Sequence, residues 1–152
     1  MSAQVIALLV FHQTEPFNEI KAALGKIAVP TERAQTLAEA KHALSEANPP
    51  LLAITESELP DGKWSDILAF SENPSSRVNV IVVGQTINAN LYASAIEVGA
   101  FDYIAPPFEG VDLAHVLRCA ADNALARRET AKHSRPSAEQ LLPVTVKSQG
   151  SA

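Results

Sequence analysis

The sequence predicts an α/β protein, a doubly wound parallel sheet of five strands with helices on both faces. Three observations predict it. Continuous apolar runs, such as residues 5–11 and 78–83, have strand length and lack the polar alternation of a half-exposed strand, so they belong in a sheet covered on both sides. Between the runs lie stretches whose apolar residues recur three and four positions apart, the pattern of a helix with one buried stripe. The two patterns alternate along the chain, which calls for parallel strands joined by crossover helices.

Each element has its own signal. Residues 5–11 form the apolar run read as β1. Thr14 is placed to cap the next helix with Pro16 in its first turn, and Phe17, Ile20, Leu24 and Ile27 make the stripe of α1. Residues 29–34 contain Pro30, whose missing backbone donor is tolerated at a sheet edge, so this is β2 as an edge strand. Thr36 and Glu39 have capping-box spacing and open α2, which Asn48, Pro49 and Pro50 end. Residues 51–55 read as β3, 65–70 as a short α3, and Asn73 to Ser76 as the loop before β4 at 78–83, a β-branched run. A helix α4 at 89–98 is closed by Gly99, and β5 follows at 101–104. From Val111 the residues Leu113, Val116, Leu117, Ala120, Ala121 and Leu125 give α5 its apolar face. After Arg128 that periodicity fades into a polar, basic stretch broken by Pro136. The expected division is a folded domain over 4–123, then the end of α5 and a disordered tail over 124–152.

Composition limits the function classes. At 152 residues the chain has material for one core. Its 12 Lys and Arg against 17 Asp and Glu give a net charge of −5, which does not favour nucleic acid or an anionic membrane. Cys119 is the single cysteine, and no Cys/His spacing suits a metal. The first residues carry no basic, apolar leader, and no apolar run reaches membrane length, so the expectation is a cytoplasmic protein.

In open α/β sheets function sits at the carboxyl ends of the strands. There the segment Leu51-Leu52-Ala53-Ile54-Thr55-Glu56-Ser57-Glu58-Leu59-Pro60-Asp61-Gly62 resembles β3 and its loop in response-regulator receiver domains, which carry the phospho-accepting Asp where this chain has Glu56. The segment Val98-Gly99-Ala100-Phe101-Asp102-Tyr103-Ile104-Ala105-Pro106-Pro107-Phe108 is similar to the receiver stretch Gly-Ala-x-Asp-Tyr-Leu-x-Lys-Pro-Phe. The resemblance implies the flavodoxin-like (βα)5 receiver fold with strand order 2-1-3-4-5 and a role in two-component signalling. It also implies an acidic pair after β1, a Ser or Thr ending β4 and a Lys before the final Pro, which hold Mg²⁺ and meet the phosphoryl oxygens.

This chain departs at each of those places. Phe11, His12, Gln13 and Thr14 stand after β1, with no register that supplies two carboxylates there. Gly84 stands where the hydroxyl belongs and Pro106 where the Lys belongs. The extra methylene of Glu56 displaces its attacking oxygen from the acceptor position. Mg²⁺ binding is therefore expected to be weak or absent, and His12, Gln13, Gly84 and Pro106 mark a degenerate pocket around Glu56.

Several residues admit two readings. Glu56 mimics a phosphorylated Asp or is a solvated loop carboxylate. His12 pairs with Glu56 in a pH-sensitive contact or is solvated. By resemblance Tyr103 is the rotameric aromatic of the α4–β5–α5 face; alternatively it is a partly exposed aromatic packed on α4. Trp64 is a lid or partner anchor, or packs at the start of α3. The resemblance makes the peptide bond into Pro107 cis. Cys119 is expected in the core. His42, His115 and His133 are expected on the surface, and Arg127, Arg128, Lys132 and Arg135 in a solvated linker.

The expectation is a non-enzymatic, atypical receiver that signals through phosphorylation-independent protein contacts, with a protein partner or a second copy on the α4–β5–α5 face and no nucleic-acid or membrane role. Two alternatives stand beside it. One is a phospho-accepting receiver centred on Glu56 with Glu58 or Asp61 assisting a metal; the other is the regulatory fragment of a longer transcriptional regulator.

Overall fold

The structure, a computed structural model, describes residues 6–12, 15–46, 48–71 and 78–146, from 131 onward as helical backbone alone. Gln13, Thr14 and the Asn73–Ser76 loop assigned from sequence lie outside the described residues. The observed elements are β1 (Ala7–Val10), α1 (Phe17–Lys26), β2 (Thr31–Ala34), α2 (Leu37–Leu44), β3 (Leu52–Glu56), α3 (Trp64–Ser71), β4 (Asn79–Val83), α4 (Ala89–Val98), β5 (Asp102–Ile104) and α5 (Gly110–Val146). The five strands are all parallel in the order 2-1-3-4-5, as predicted.

The central strands are apolar throughout because successive side chains feed opposite faces. Leu8, Val10, Ala53, Val80 and Val82 turn to one side and pack with α2 and α3 through Leu44, Ile67 and Leu68. Leu9, Leu52, Ile54, Ile81 and Val83 turn to the other and meet Phe17, Ile20 and Leu24 of α1 and Leu113, Leu117 and Ala120 of α5. Burial of each large side chain contributes about 1.5–3 kcal/mol, and the two layers hold the strand ends in fixed relation. β2 is the exposed edge, with only Ala34 buried among its four residues, which is why it tolerates Glu32 and Arg33.

Local sequence sets most boundaries. Thr36 accepts from the Glu39 N–H at 3.2 Å, and the Glu39 carboxylate reaches back to the Gln35 N–H at 2.8 Å, the reciprocal pair that its spacing predicts. Helix α2 ends at Leu44, before the Asn-Pro-Pro stop, with Ser45 as its C-cap donating both its N–H and its hydroxyl to the Lys41 carbonyl. Asn88 caps α4 through the Leu91 N–H at 3.0 Å. Gly99 closes α4 with φ of 125°, a conformation that side chains with a Cβ rarely adopt.

Two expectations, for Cys119 and for Arg127 and Arg128, are corrected. Cys119 is exposed, 3.6 Å from the His115 ring nitrogen. It lies two residues past the buried Leu117, about 200° around the helix, so it cannot share the core stripe. The helical backbone of α5 is described to Val146, past the point where its apolar stripe fades. Arg127 and Arg128 are not linker residues. Arg127 donates to the Asn79 side-chain oxygen at 2.5 Å, and Arg128 donates to the Pro49 and Pro50 carbonyls at 3.0 and 2.6 Å, which clamps α5 to the amino ends of β3 and β4.

Candidate functional site

The carboxyl ends of β1, β3 and β4 open into a cleft of about 610 Å³ whose lining includes His12, Glu15, Glu56, Glu58, Gly84 and Tyr103. Five of these, His12, Glu56, Glu58, Gly84 and Tyr103, were singled out in the sequence, and they meet here. Pro106 does not line the cleft and is half-buried, beside an exposed Pro107. The Pro106–Pro107 peptide bond is cis.

Glu56 is the last residue of β3, paired in register with Val83 of β4. Its half-buried side chain reaches across to β1, where Oε1 accepts the backbone N–H of His12 at 2.6 Å. The contact between His12 and Glu56 thus runs through the His12 backbone amide, and His12 itself is exposed. The length of the Glu56 side chain is what lets it span from the end of β3 to the end of β1.

The end of β1 has been given over to packing. Phe11 is buried, its ring stacks on Phe17 at 4.4 Å between centroids, and the Arg33 guanidinium lies 4.1 Å from the Phe11 centroid. The sequence marked Phe11 as the end of the apolar β1 run and as a non-acidic residue. Its partnership with Arg33 depends on the parallel pairing of β1 and β2 and has no local sequence signal.

The other carboxylates near the loop are committed elsewhere. Asp61 accepts the Leu37 and Ala38 N–H groups at 2.7 and 3.1 Å, so the loop after β3 supplies an extra cap to α2. Those amide bonds, chiefly that of Leu37, hold the Asp61 carboxyl below its ordinary range. Asp66 accepts the Lys63 N–H at 3.1 Å at the end of a small hairpin, Glu58–Leu59 against Gly62–Lys63. Among the described residues no group of three or more His, Cys, Asp or Glu is arranged to hold a metal ion. A receiver's Mg²⁺ needs several charged oxygens together, and the residues present do not fit it. Nor does a Lys or Arg appear among the described residues of the cleft wall, so a phosphoryl group would meet Glu15, Glu56 and Glu58 without a counter-charge.

Tyr103 is 6% exposed, more buried than the sequence suggested. Its hydroxyl donates to the Thr86 carbonyl at 2.7 Å, and its ring meets Tyr92 of α4 edge-on at 6.3 Å. Burial pushes the phenol up from its ordinary value of 10.0. Trp64 is buried among Leu59, Ile67 and Leu68 where α3 begins, so it is a core residue and neither a lid nor an exposed anchor. The apolar surface that is exposed belongs mainly to α4, which buries only Ala95 and leaves Tyr92 at 47% and Ile96 at 38% exposure on one face.

Comparison with known proteins finds relatives by sequence and by structure. Over 114 residues the chain is 32% identical to the photosynthetic apparatus regulatory protein RegA of Cereibacter sphaeroides, a match spanning 73% of this chain and 60% of that protein. It is 26% identical over 136 residues to the response regulator protein PilR of Pseudomonas aeruginosa, covering 90% of this chain and 29% of that one. The matches thus span about 60% of the length of RegA and under a third of that of PilR. Among solved structures, a signal receiver domain from Vibrio parahaemolyticus superimposes with a TM-score of 0.73 at 20% identity, over 84% of this chain and 97% of that one. A CheY-like response regulator receiver domain from Methanospirillum hungatei gives 0.67 at 21%, over 82% and 98%. No family model matches the sequence. No described helix is long and apolar enough to cross a membrane.

Proposed function

Because the chain is a response-regulator receiver domain by sequence kinship and fold, we propose that it serves signal transduction as an atypical receiver whose output does not depend on phosphorylation. One observation carries this reading. The acceptor-position carboxylate is tied to the His12 amide, in a cleft whose described walls offer no cation for a phosphoryl group. The alternative with Asp61 assisting a metal is disfavoured because both Asp61 oxygens already accept amides of α2. In this reading signalling runs through protein contacts on the face of α4, β5 and α5, supported by the exposed Tyr92 and Ile96.

Incubation with acetyl phosphate and Mg²⁺, followed by intact-mass measurement, is the test: no adduct is expected. A stoichiometric acyl phosphate that disappears in Glu56→Gln would reverse the reading. The occupant proposed for the α4 face is a second copy of the chain, so sedimentation velocity should reveal a reversible dimer that Ile96→Asp abolishes. A monomer at every concentration would remove the dimer.

A further inference from the structure

Gly84 and Tyr103 are described above as a missing hydroxyl and a buried aromatic, yet their geometry joins them. A Cβ built on Gly84 would overlap the Tyr103 hydroxyl and lie 2.6 Å from Cζ and 3.0 Å from Cε1 of the same ring. Every one of its three nearest neighbours is an atom of Tyr103. Atoms of that kind do not approach so closely, so any residue larger than glycine at 84 and the present position of Tyr103 exclude each other. Nothing about the Gly84 backbone itself demands glycine, since it is not among the residues with positive φ. What requires glycine there is the space.

We propose that Gly84 is a socket for Tyr103, and that the pair forms a built-in lock which fixes the start of α4 without any group bound in the cleft. Three contacts carry the lock outward. The Gly84 N–H donates to the Ile104 carbonyl at 2.9 Å, which joins β4 to β5 beside the ring. The Tyr103 hydroxyl, seated in the socket, holds the Thr86 carbonyl of the segment that leads into α4. The Tyr103 ring receives the edge of Tyr92, one turn into α4 and itself half-exposed. A side chain of 6% exposure thereby sets the position of a helix whose own buried contact is little more than Ala95. Helix α4 is weakly held by its core face, so the lock has more influence on it than it would on α1 or α3, each of which buries four residues. None of these three contacts is made by Glu56.

The experiment replaces the socket. The protein has two tyrosines, so fluorotyrosine labelling gives two ¹⁹F resonances that Tyr92→Phe assigns. In the wild type, the Tyr103 resonance should be that of a buried ring, with its phenol titrating above 10.0. In Gly84→Ala the resonance should move to the exposed position and the titration should fall toward 10.0, while amide exchange at residues 86–92 accelerates severalfold. Should Gly84→Ala fail to fold, the Tyr103→Ala background keeps the inference exposed to refutation: there the added methyl has an empty space to enter, so Gly84→Ala/Tyr103→Ala should be as stable as Tyr103→Ala alone. A Gly84→Ala protein with an unchanged Tyr103 resonance, or equal damage from Gly84→Ala with and without Tyr103, would overturn the lock.

Discussion

The contact between Glu56 and His12 separates reach from charge, and a set of three substitutions can read the difference. The carboxylate accepts the His12 amide at 2.6 Å. A hydrogen bond to a charged group contributes about 1.5–3 kcal/mol where protected, but His12 is exposed and water competes, which brings the expected value to about 1 kcal/mol. Glu56→Asp withdraws the oxygen by one carbon–carbon bond, about 1.5 Å, and opens the separation to roughly 4 Å, beyond bonding range. Glu56→Asp should therefore be as destabilised as Glu56→Ala, each by about 1 kcal/mol, although it keeps the charge. Glu56→Gln keeps the reach and loses the charge, and should fall by roughly half as much. With a urea slope of about 2 kcal/mol per molar, the Asp and Ala variants lose about 0.5 M in unfolding midpoint. An Asp variant with the wild-type midpoint, beside a Gln variant as weak as Ala, would refute the argument from reach.

At the opposite end of the sheet, Asn79 is 4% exposed, donates to the Ala120 carbonyl and Asn123, and accepts from Arg127. Asn79→Ala should cost about 2–4 kcal/mol in urea unfolding, because the remaining partners lose a buried junction; a loss under about 1 kcal/mol would mean that water replaces it. Asp61 predicts a pH dependence. Its folded pKa lies below the ordinary 3.8, so the stability it contributes is present above that value and is lost as pH falls through the folded pKa. The difference in unfolding free energy between wild type and Asp61→Ala should be constant near neutrality and shrink below pH 3.8; a difference that grows on acidification would contradict the capping role.

How far the sequence could be read depended on the range of each interaction. Strand runs and helix stripes are repeated signals, and five strands and five helices followed from them with ends shifted by a few residues. The Thr36 and Glu39 cap and the closing Gly99 act within one turn, so they too were legible. The exposure of Cys119 was misjudged because its helical neighbours Val116 and Ala120 were counted without the phase set by Leu113 and Leu117, although that phase was present in the sequence. The clamp by Arg127 and Arg128 was missed for a different reason: their partners lie at Asn79 and at Pro49 and Pro50, dozens of residues away, and no local pattern marks such a contact.

The candidate site divides in the same way. The residue types at positions 12, 56, 84 and 106 are legible in the sequence, and by resemblance to receiver domains they are what led to the expectation of a degenerate pocket. Which contacts are made there was decided only by tertiary structure. Glu56 turns onto a backbone amide, Phe11 fills the end of β1, Asp61 caps a distant helix, and the space left at Gly84 is taken by Tyr103. Each of these joins separate elements at distances of an atom's width, and a residue's type fixes what it can bond to but not which partner the folded chain brings within reach.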